Sequence, residues 1–196
     1  MRFLHCGFLQ KIAKTATIAL RMPTPVGHAL GGLATAWFAE SISRKSSWTI
    51  PLGVACAAIA MAPDLDIPFG IHRTYTHSVA AVAAVGVLSW FLLRRRTPLA
   101  TRFALIIAAA YGSHLLLDWL GKDTSTPPGL MALWPFSTHF YISGFDVFGQ
   151  VSRRYWKPDE FIVGNLKTLA RELAIIGPVI ALAWFLRSRT TNVSNS

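Results

Sequence analysis

The sequence predicts an all-α protein, a polytopic membrane helical bundle of about five apolar helices with a long loop between the fourth and the fifth. Three observations carry this. The 196 residues are 53% hydrophobic and only 14% charged, where a soluble domain of this size carries about 25% charged residues; the mean hydropathy is +0.42. The apolar residues come in blocks without the polar stripe of a soluble amphipathic helix. The basic residues cluster beside those blocks, as at Arg44-Lys45 and Arg94-Arg95-Arg96, where membrane proteins place cytoplasmic anchors. A net charge of +10 would otherwise point to nucleic acid. No segment is long and polar enough to fold as a soluble basic binder, so direct nucleic-acid binding is excluded.

Residues 1–21 carry scattered charges and no sustained apolar core, unlike a signal peptide. They read as an N-terminal extension, an interfacial amphipathic lead-in, or as a mis-called start, with Met22 of "MPTPVGHALGG" as the second start. A single integral-membrane domain then covers 22–189. Its first apolar segment runs from about His28 to Ile42 and the second from Trp48 to Ala62. The third runs from His77 to Leu93, the fourth from Arg102 to Leu120, and the fifth from about Leu173 to Leu186. Several fall short of the roughly 20 residues of a full span, and reach it only if the motif residues at their ends belong to the helices. The connection Gly121–Glu172 holds Pro127-Pro128 and "WPFS", Trp134 to Ser137; a loop this long is more often a packed cap than a linker. Residues 190–196 are polar and predicted to be a disordered tail. Cys6 and Cys56 lie far apart, and Cys56 sits in an apolar run as a small core residue rather than half of a disulfide.

Threading the segments alternately across a bilayer brings the polar motifs to one face, side A. His28 opens the first segment. Asp64 and Asp66 of "PDLD" follow the second, His77 of "HRTYTHS" opens the third, and His114 and Asp118 lie near the end of the fourth. His114 and Asp118 are four apart and share one helical face. Asp64 and Asp66 are two apart and point the same way in an extended turn. His28, His72 and His77 add imidazoles. Divalent metals such as zinc take this mix of nitrogen and carboxylate oxygen. Seven candidate ligands exceed the needs of one tetrahedral ion and suit two ions sharing a bridging carboxylate and water.

Each motif also has a plainer reading. A lone H-x-x-x-D on a helix is usually a satisfied polar pair. "PDLD" alone is usually a turn with a capping carboxylate. Thr76 would cap the third helix, with Ser78 in its first turn. The set outweighs its members, because ionisable residues at membrane depth are costly and tend to be functional.

"PTPVGHALGG", "APDLD", "HRTYTHS", "SHLLLDWL" and "LWPFS", in that order, resemble the bacterial membrane-bound metal-dependent hydrolases, the YdjM-like group, also described as LexA-binding, inner-membrane-associated hydrolases. The resemblance covers roughly residues 23–137. It implies a multi-pass bacterial inner-membrane protein with metal-dependent hydrolase activity, and by motif it implies the ligands His28, Asp64, Asp66, His77, His114 and Asp118, with His72 as a further candidate. The order of the motifs is loosely similar to zinc-dependent phospholipase C. The stretch "WLGKDTSTPPG" departs from the regularity of its neighbours and leaves Asp123 and Thr124 without a role.

These parts suggest one or two divalent ions, zinc first and manganese or magnesium as alternatives, activating water against an ester or phosphoester. Asp64 or Asp66 would bridge the ions or act as base. Arg73 would hold a phosphate or carboxylate oxygen, or else serve as an interfacial anchor. Trp134 and Phe136 would form an apolar lip or an interface belt. A site at the membrane surface favours an amphiphilic or lipid-linked substrate. Two other classes stay open: a regulatory binding protein of the LexA-binding type with a structural metal, and a small transporter. Side B carries Arg44, Lys45, Arg94, Arg95, Arg96, Arg102, Arg187 and Arg189 in short loops and at the tail, against Glu40. The positive-inside rule therefore places side B in the cytoplasm and the metal site on the periplasmic or outer side.

Overall fold

The computed structural model describes residues 23–43, 49–69, 71–152 and 154–193. The expected N-terminal extension, Arg44 and Lys45 lie outside them. Among the described residues there are five α-helices and no strands: α1 (Pro25–Ser43), α2 (Thr49–Met61), α3 (Val79–Leu93), α4 (Ala100–Leu120) and α5 (Gly164–Val193). The protein is an all-helical bundle, as its composition predicts.

Three helical stretches, Pro51–Phe69, Ala100–Leu120 and Asp159–Arg189, are long and apolar enough to cross a membrane. Val79–Leu93 is a shorter apolar helix that begins after His77, so His77 precedes the apolar stretch rather than opening it. α1, which contains His28 and Glu40, is not among them.

α2 stops at Met61 because the next residues include Pro63 and Pro68, which have no N–H to continue the ladder. The chain tightens into a 3-10 segment, Ala62–Phe69, that carries Asp64 and Asp66. A second 3-10 turn, Tyr75–His77, leads into α3. The cap of α3 is Ser78, whose hydroxyl accepts from the Ala81 N–H at 3.2 Å. This corrects the expectation that Thr76 caps the helix, since the Thr76 hydroxyl turns to Asp66 instead.

The fifth helix starts nine residues before its expected Leu173 and runs through Val193. Lys167, Arg171 and Glu172 made its first turns read as loop, yet Thr168, Glu172 and Ile176 fall on one buried face at helical spacing. Thr190 to Val193, expected in a disordered tail, belong to this helix; residues 194–196 lie outside the described set. The remaining connection is pinned by isolated bridges, Gly121 with Phe148 and Leu130 with Tyr141.

α1 packs on α2, α4 and α5, while α3 packs on α4. A Cβ at Gly32 would lie 2.3 Å from the Cys56 carbonyl, so only glycine allows α1 and α2 this close. Ala36, Leu52, Cys56, Ile106 and Ala110 fill the space where α1, α2 and α4 meet. Ion pairing and capping hold α1 against α5 at both ends. Arg187 Nε meets Glu40 Oε2 at 3.0 Å on side B. On side A the fully buried Glu172 accepts from the Thr24 N–H at 2.6 Å and from the Thr24 hydroxyl. A carboxylate here satisfies an orphan donor and complements the positive end of the α1 dipole. A Cβ at Gly27 would meet Glu172 Oε2 at 2.7 Å.

Gly27→Ala should therefore push Glu172 off Thr24 and lower stability by about 1–3 kcal/mol. Thermal melting in detergent measures this, and an unchanged midpoint would remove Glu172 as the anchor of α1.

Candidate metal centre

His114 and Asp118 project from one face of α4, His114 fully buried and Asp118 nearly so. His114 Nδ1 donates to the Ala60 carbonyl at 2.7 Å. That carbonyl lies in the last turn of α2, where helix carbonyls lack an intrahelical partner. A carbonyl only accepts, so Nδ1 holds the proton and Nε2 presents a lone pair.

His77 is set the same way by different partners. The Thr76 hydroxyl donates to Asp66 Oδ2, so its oxygen is free to accept from His77 Nδ1 at 2.9 Å. Asp66 Oδ2 itself lies 3.4 Å from that nitrogen. His77 Nε2 is thus turned inward, 3.1 Å from His114 Nε2. A carboxylate or carbonyl behind each imidazole is the usual outer support of metal-ligating histidines.

Two carboxylates complete the centre. Asp118 Oδ2 lies 3.1 Å from His114 Nε2 and 3.6 Å from His77 Nε2. Asp64 Oδ1 lies 3.6 Å from the former and 3.7 Å from the latter. In a tetrahedral zinc site, bonds of about 2.0–2.1 Å put the ligand atoms about 3.3–3.4 Å apart. The five separations bracket that value. Asp64 Oδ1 and both oxygens of Asp118 are buried and, among the described residues, have no hydrogen-bond partner. Orphaned anionic oxygens facing two imidazole lone pairs are costly unless a cation lies between them.

Electrostatics at His77 agree. Burial opposes its charged form, but hydrogen bonds to Asp64 and Asp66, with the nearby charge of Asp118, pull its pKa up to about 9. The carboxylates hold a proton on the ring at neutral pH, and a metal cation would displace it.

The remaining expected ligands stand around this quartet. Asp66 is not at the centre: Oδ1 takes His72 Nδ1 at 2.7 Å, and Oδ2 takes Thr76. It orients His77 instead of ligating beside it. His72 Nδ1 lies 4.0 Å from Asp64 Oδ1. His28 is fully buried, with Nε2 3.4 Å from Asp118 Oδ1. Among the described residues, two groups have the spacing to hold a metal, His28 with His114 and Asp118, and Asp64 with His72 and His77.

Arg73 takes a different place from the one expected. Its guanidinium pairs with Asp123 rather than standing free for a substrate oxygen. Asp123 also accepts from the Gly129 N–H at 2.6 Å and the Ser125 N–H at 2.8 Å. It is the residue on which the 123–129 loop folds, and the sequence offered only its irregular surroundings as a signal. Arg73 has φ 64°, in the left-handed region, and its carbonyl accepts from Met131 at 2.9 Å. The histidine-bearing segment is thereby stitched to the long loop. Trp134 packs edge-on against Tyr75, ring centroids 5.2 Å apart, and Phe136 is 89% exposed. Glu172, which fixes the first turn of α1 and with it the position of His28, also escaped sequence reasoning, having been read as the end of a loop.

A groove of about 800 Å³ between α3 and α4 is lined by apolar residues such as Val82, Gly86, Ala108 and Leu116. It offers no metal-ligating side chain and is not the site.

A family model described as YdjM inner membrane protein matches residues 22–190, a range that contains every residue of the cluster. Neither the curated proteins nor the solved structures contain a match to this chain.

His114→Ala and Asp64→Ala should each abolish tight zinc binding, a loss of at least tenfold to a hundredfold in affinity, while membrane insertion and helix content persist. Metal analysis of the purified variants measures this; full metal content in either would exclude the quartet.

Proposed function

The chain belongs to the YdjM inner membrane protein family, and we propose that it is a membrane-bound metal-dependent hydrolase acting on an ester or phosphoester of an amphiphilic, lipid-linked substrate. The observation that carries this reading is that the inward Nε2 atoms of His77 and His114 lie 3.1 Å apart and each within 3.7 Å of Asp118 Oδ2 and Asp64 Oδ1. Two nitrogens and two carboxylate oxygens suit zinc first, with manganese or magnesium as alternatives.

When bound, such an ion supplies Lewis acidity and brings a water's pKa near neutrality. The chain does the rest. Asp66 and Thr76 hold the His77 ring, and the Ala60 carbonyl holds that of His114. Asp64 is the quartet member within reach of solvent, its side chain 19% exposed against 0–3% for the others. Its carboxylate is therefore the base that takes the proton of the attacking water. The exposed Leu65 beside it and Phe69 in the same 3-10 segment give the opening an apolar rim, which suits a substrate presented by the bilayer. Arg73, held by Asp123, supports the loop over the site rather than binding the substrate directly.

A second reading has one observation in its favour. Two imidazoles and two carboxylates could supply all four donors of one ion, and structural zinc sites are closed in that way. A non-catalytic regulatory protein with a structural metal, with LexA as the partner the family resemblance implies, would use such a site. A transporter fits less well, since its coupling groups would lie near the bilayer midplane and these lie at helix ends.

A panel of phosphodiester and carboxylester substrates in mixed micelles separates the two readings. Metal-dependent turnover that falls at least a hundredfold in Asp64→Asn supports hydrolysis, and no turnover with a fully loaded site supports the structural metal.

The multi-pass arrangement proposed here puts Arg94, Arg95, Arg96, Arg102 and Arg189 in the cytoplasm by the positive-inside rule; Arg187, on the same side, is partly offset by Glu40. The metal site then faces the periplasm. In a background without Cys6 and Cys56, a cysteine at Ser125 should react with a membrane-impermeant reagent in intact spheroplasts and one at Thr97 should not. The reverse pattern puts the site in the cytoplasm.

A further inference from the structure

We infer that the groove between α3 and α4 binds one anionic phospholipid, an acyl chain lying between the two helices and the phosphate held by Arg94, Arg95 and Arg96. The inference does not rest on the metal reading, and no residue of the metal centre takes part in it.

The shape of the groove is the first observation. It encloses about 800 Å³, within the roughly 300–1,000 Å³ of sites that hold a small molecule. α3 lines it with Val82, Gly86 and Trp90, and α4 with Leu105, Ala108 and Gly112. The helices come closest at Gly86, where a Cβ would lie 3.1 Å from that of Ala108. None of the fifteen residues of α3 is buried, so its apolar face meets lipid. At about 1.5 Å per residue α3 extends about 22 Å, enough for one leaflet of a hydrocarbon core about 30 Å thick. Lipid already surrounds such a groove, so occupancy depends on close contact rather than on escape from water. A hollow left empty forfeits those contacts, and a flexible acyl chain fills it.

Charge at one end is the second observation, and it selects the lipid. The turn that joins the two helices begins Arg94-Arg95-Arg96. The Arg94 N–H donates to the Trp90 carbonyl at 2.8 Å. Its guanidinium lies over the Trp90 ring, 5.2 Å from the centroid, and over Phe91 at 4.6 Å. Trp90 is a wall of the groove, so this cation stands at the rim. All three arginines are exposed, and among the described residues none of them forms an ion pair. Glu40, the acid on this side, is paired with Arg187. The dipole of α3 accounts for one cation at its C-terminus, and topology accounts for positive charge in the turn. Neither explains an apolar groove ending at that charge. A guanidinium fork matches phosphate oxygens, and a headgroup without its own cation leaves the arginines their full attraction.

Native mass spectrometry of the full-length chain, released from nanodiscs of equal parts phosphatidylglycerol and phosphatidylcholine, tests this. Wild type should keep one phosphatidylglycerol after other lipid is stripped. Each arginine replaced by glutamine should weaken that retention about fivefold. Leu105→Trp and Val87→Trp, which fill the groove from exposed positions, should abolish it. Equal retention of the two lipids overturns the anionic assignment. An undiminished preference in the arginine variants overturns the phosphate site, and undiminished retention in the tryptophan variants overturns the groove. Should the variants fold poorly, phosphatidylglycerol carrying a photoactivatable acyl chain decides the matter on wild type. Crosslinks should concentrate in residues 79–90 and 101–119; equal labelling of Val179, Leu182 and Phe185 on the exposed face of α5 overturns the site.

Discussion

Two imidazole nitrogens and two carboxylate oxygens face one another across 3.1–3.7 Å in a buried space. In a low-dielectric interior the carboxylates need positive charge between them, a proton on His77 or a cation in its place, because burying unpaired charge costs several kcal/mol per ion. Its two imidazoles are held from behind. Asp66 and Thr76 fix one ring and a helix-end carbonyl fixes the other. Much of the local structure reads as the means of meeting that constraint. α2 ends at a proline so that the carboxylate segment can turn inward, and Ser78 caps α3 so that Thr76 is free for Asp66.

The bundle supplies the rigidity that such a centre needs. His28 stands in the first turn of α1, and that turn is held by a carboxylate from α5, some 148 residues away in the chain. Glu40 and Arg187 close the same pair of helices at the other end. Between α1 and α2 the backbones approach so closely that Gly32 has no room for a side chain. After α4, Asp123 gathers Arg73, Ser125 and Gly129, tying the long connection to the histidine-bearing segment. Small residues and buried polar pairs do here what a broad hydrophobic core does in a soluble domain, since lipid competes equally well for apolar side chains.

The difference between a structural and a catalytic metal site lies in open coordination. A single ion in the quartet would be enclosed by protein, with Asp64 as its one edge toward solvent.

The sequence by itself determined the helical membrane class, the five apolar segments and the candidate ligand set, because hydropathy blocks and the types of side chain that ligate metals are local properties. The alternation of helices even placed His28, Asp64, His77, His114 and Asp118 at one end of the bundle. What only the tertiary structure decided was the role of each residue. Asp64 and Asp66 are chemically identical and two positions apart, yet one faces the centre and the other orients a histidine, because a 3-10 turn rather than an extended strand separates them. Arg73 looked free until its fold-back partner Asp123 was in view. Glu172 looked like loop because its local sequence is polar; its buried face against Thr24 depends on a helix that begins earlier than hydropathy indicates. Local composition selects which residues have the chemistry to bind a metal, and long-range packing selects which of them meet in the buried cluster.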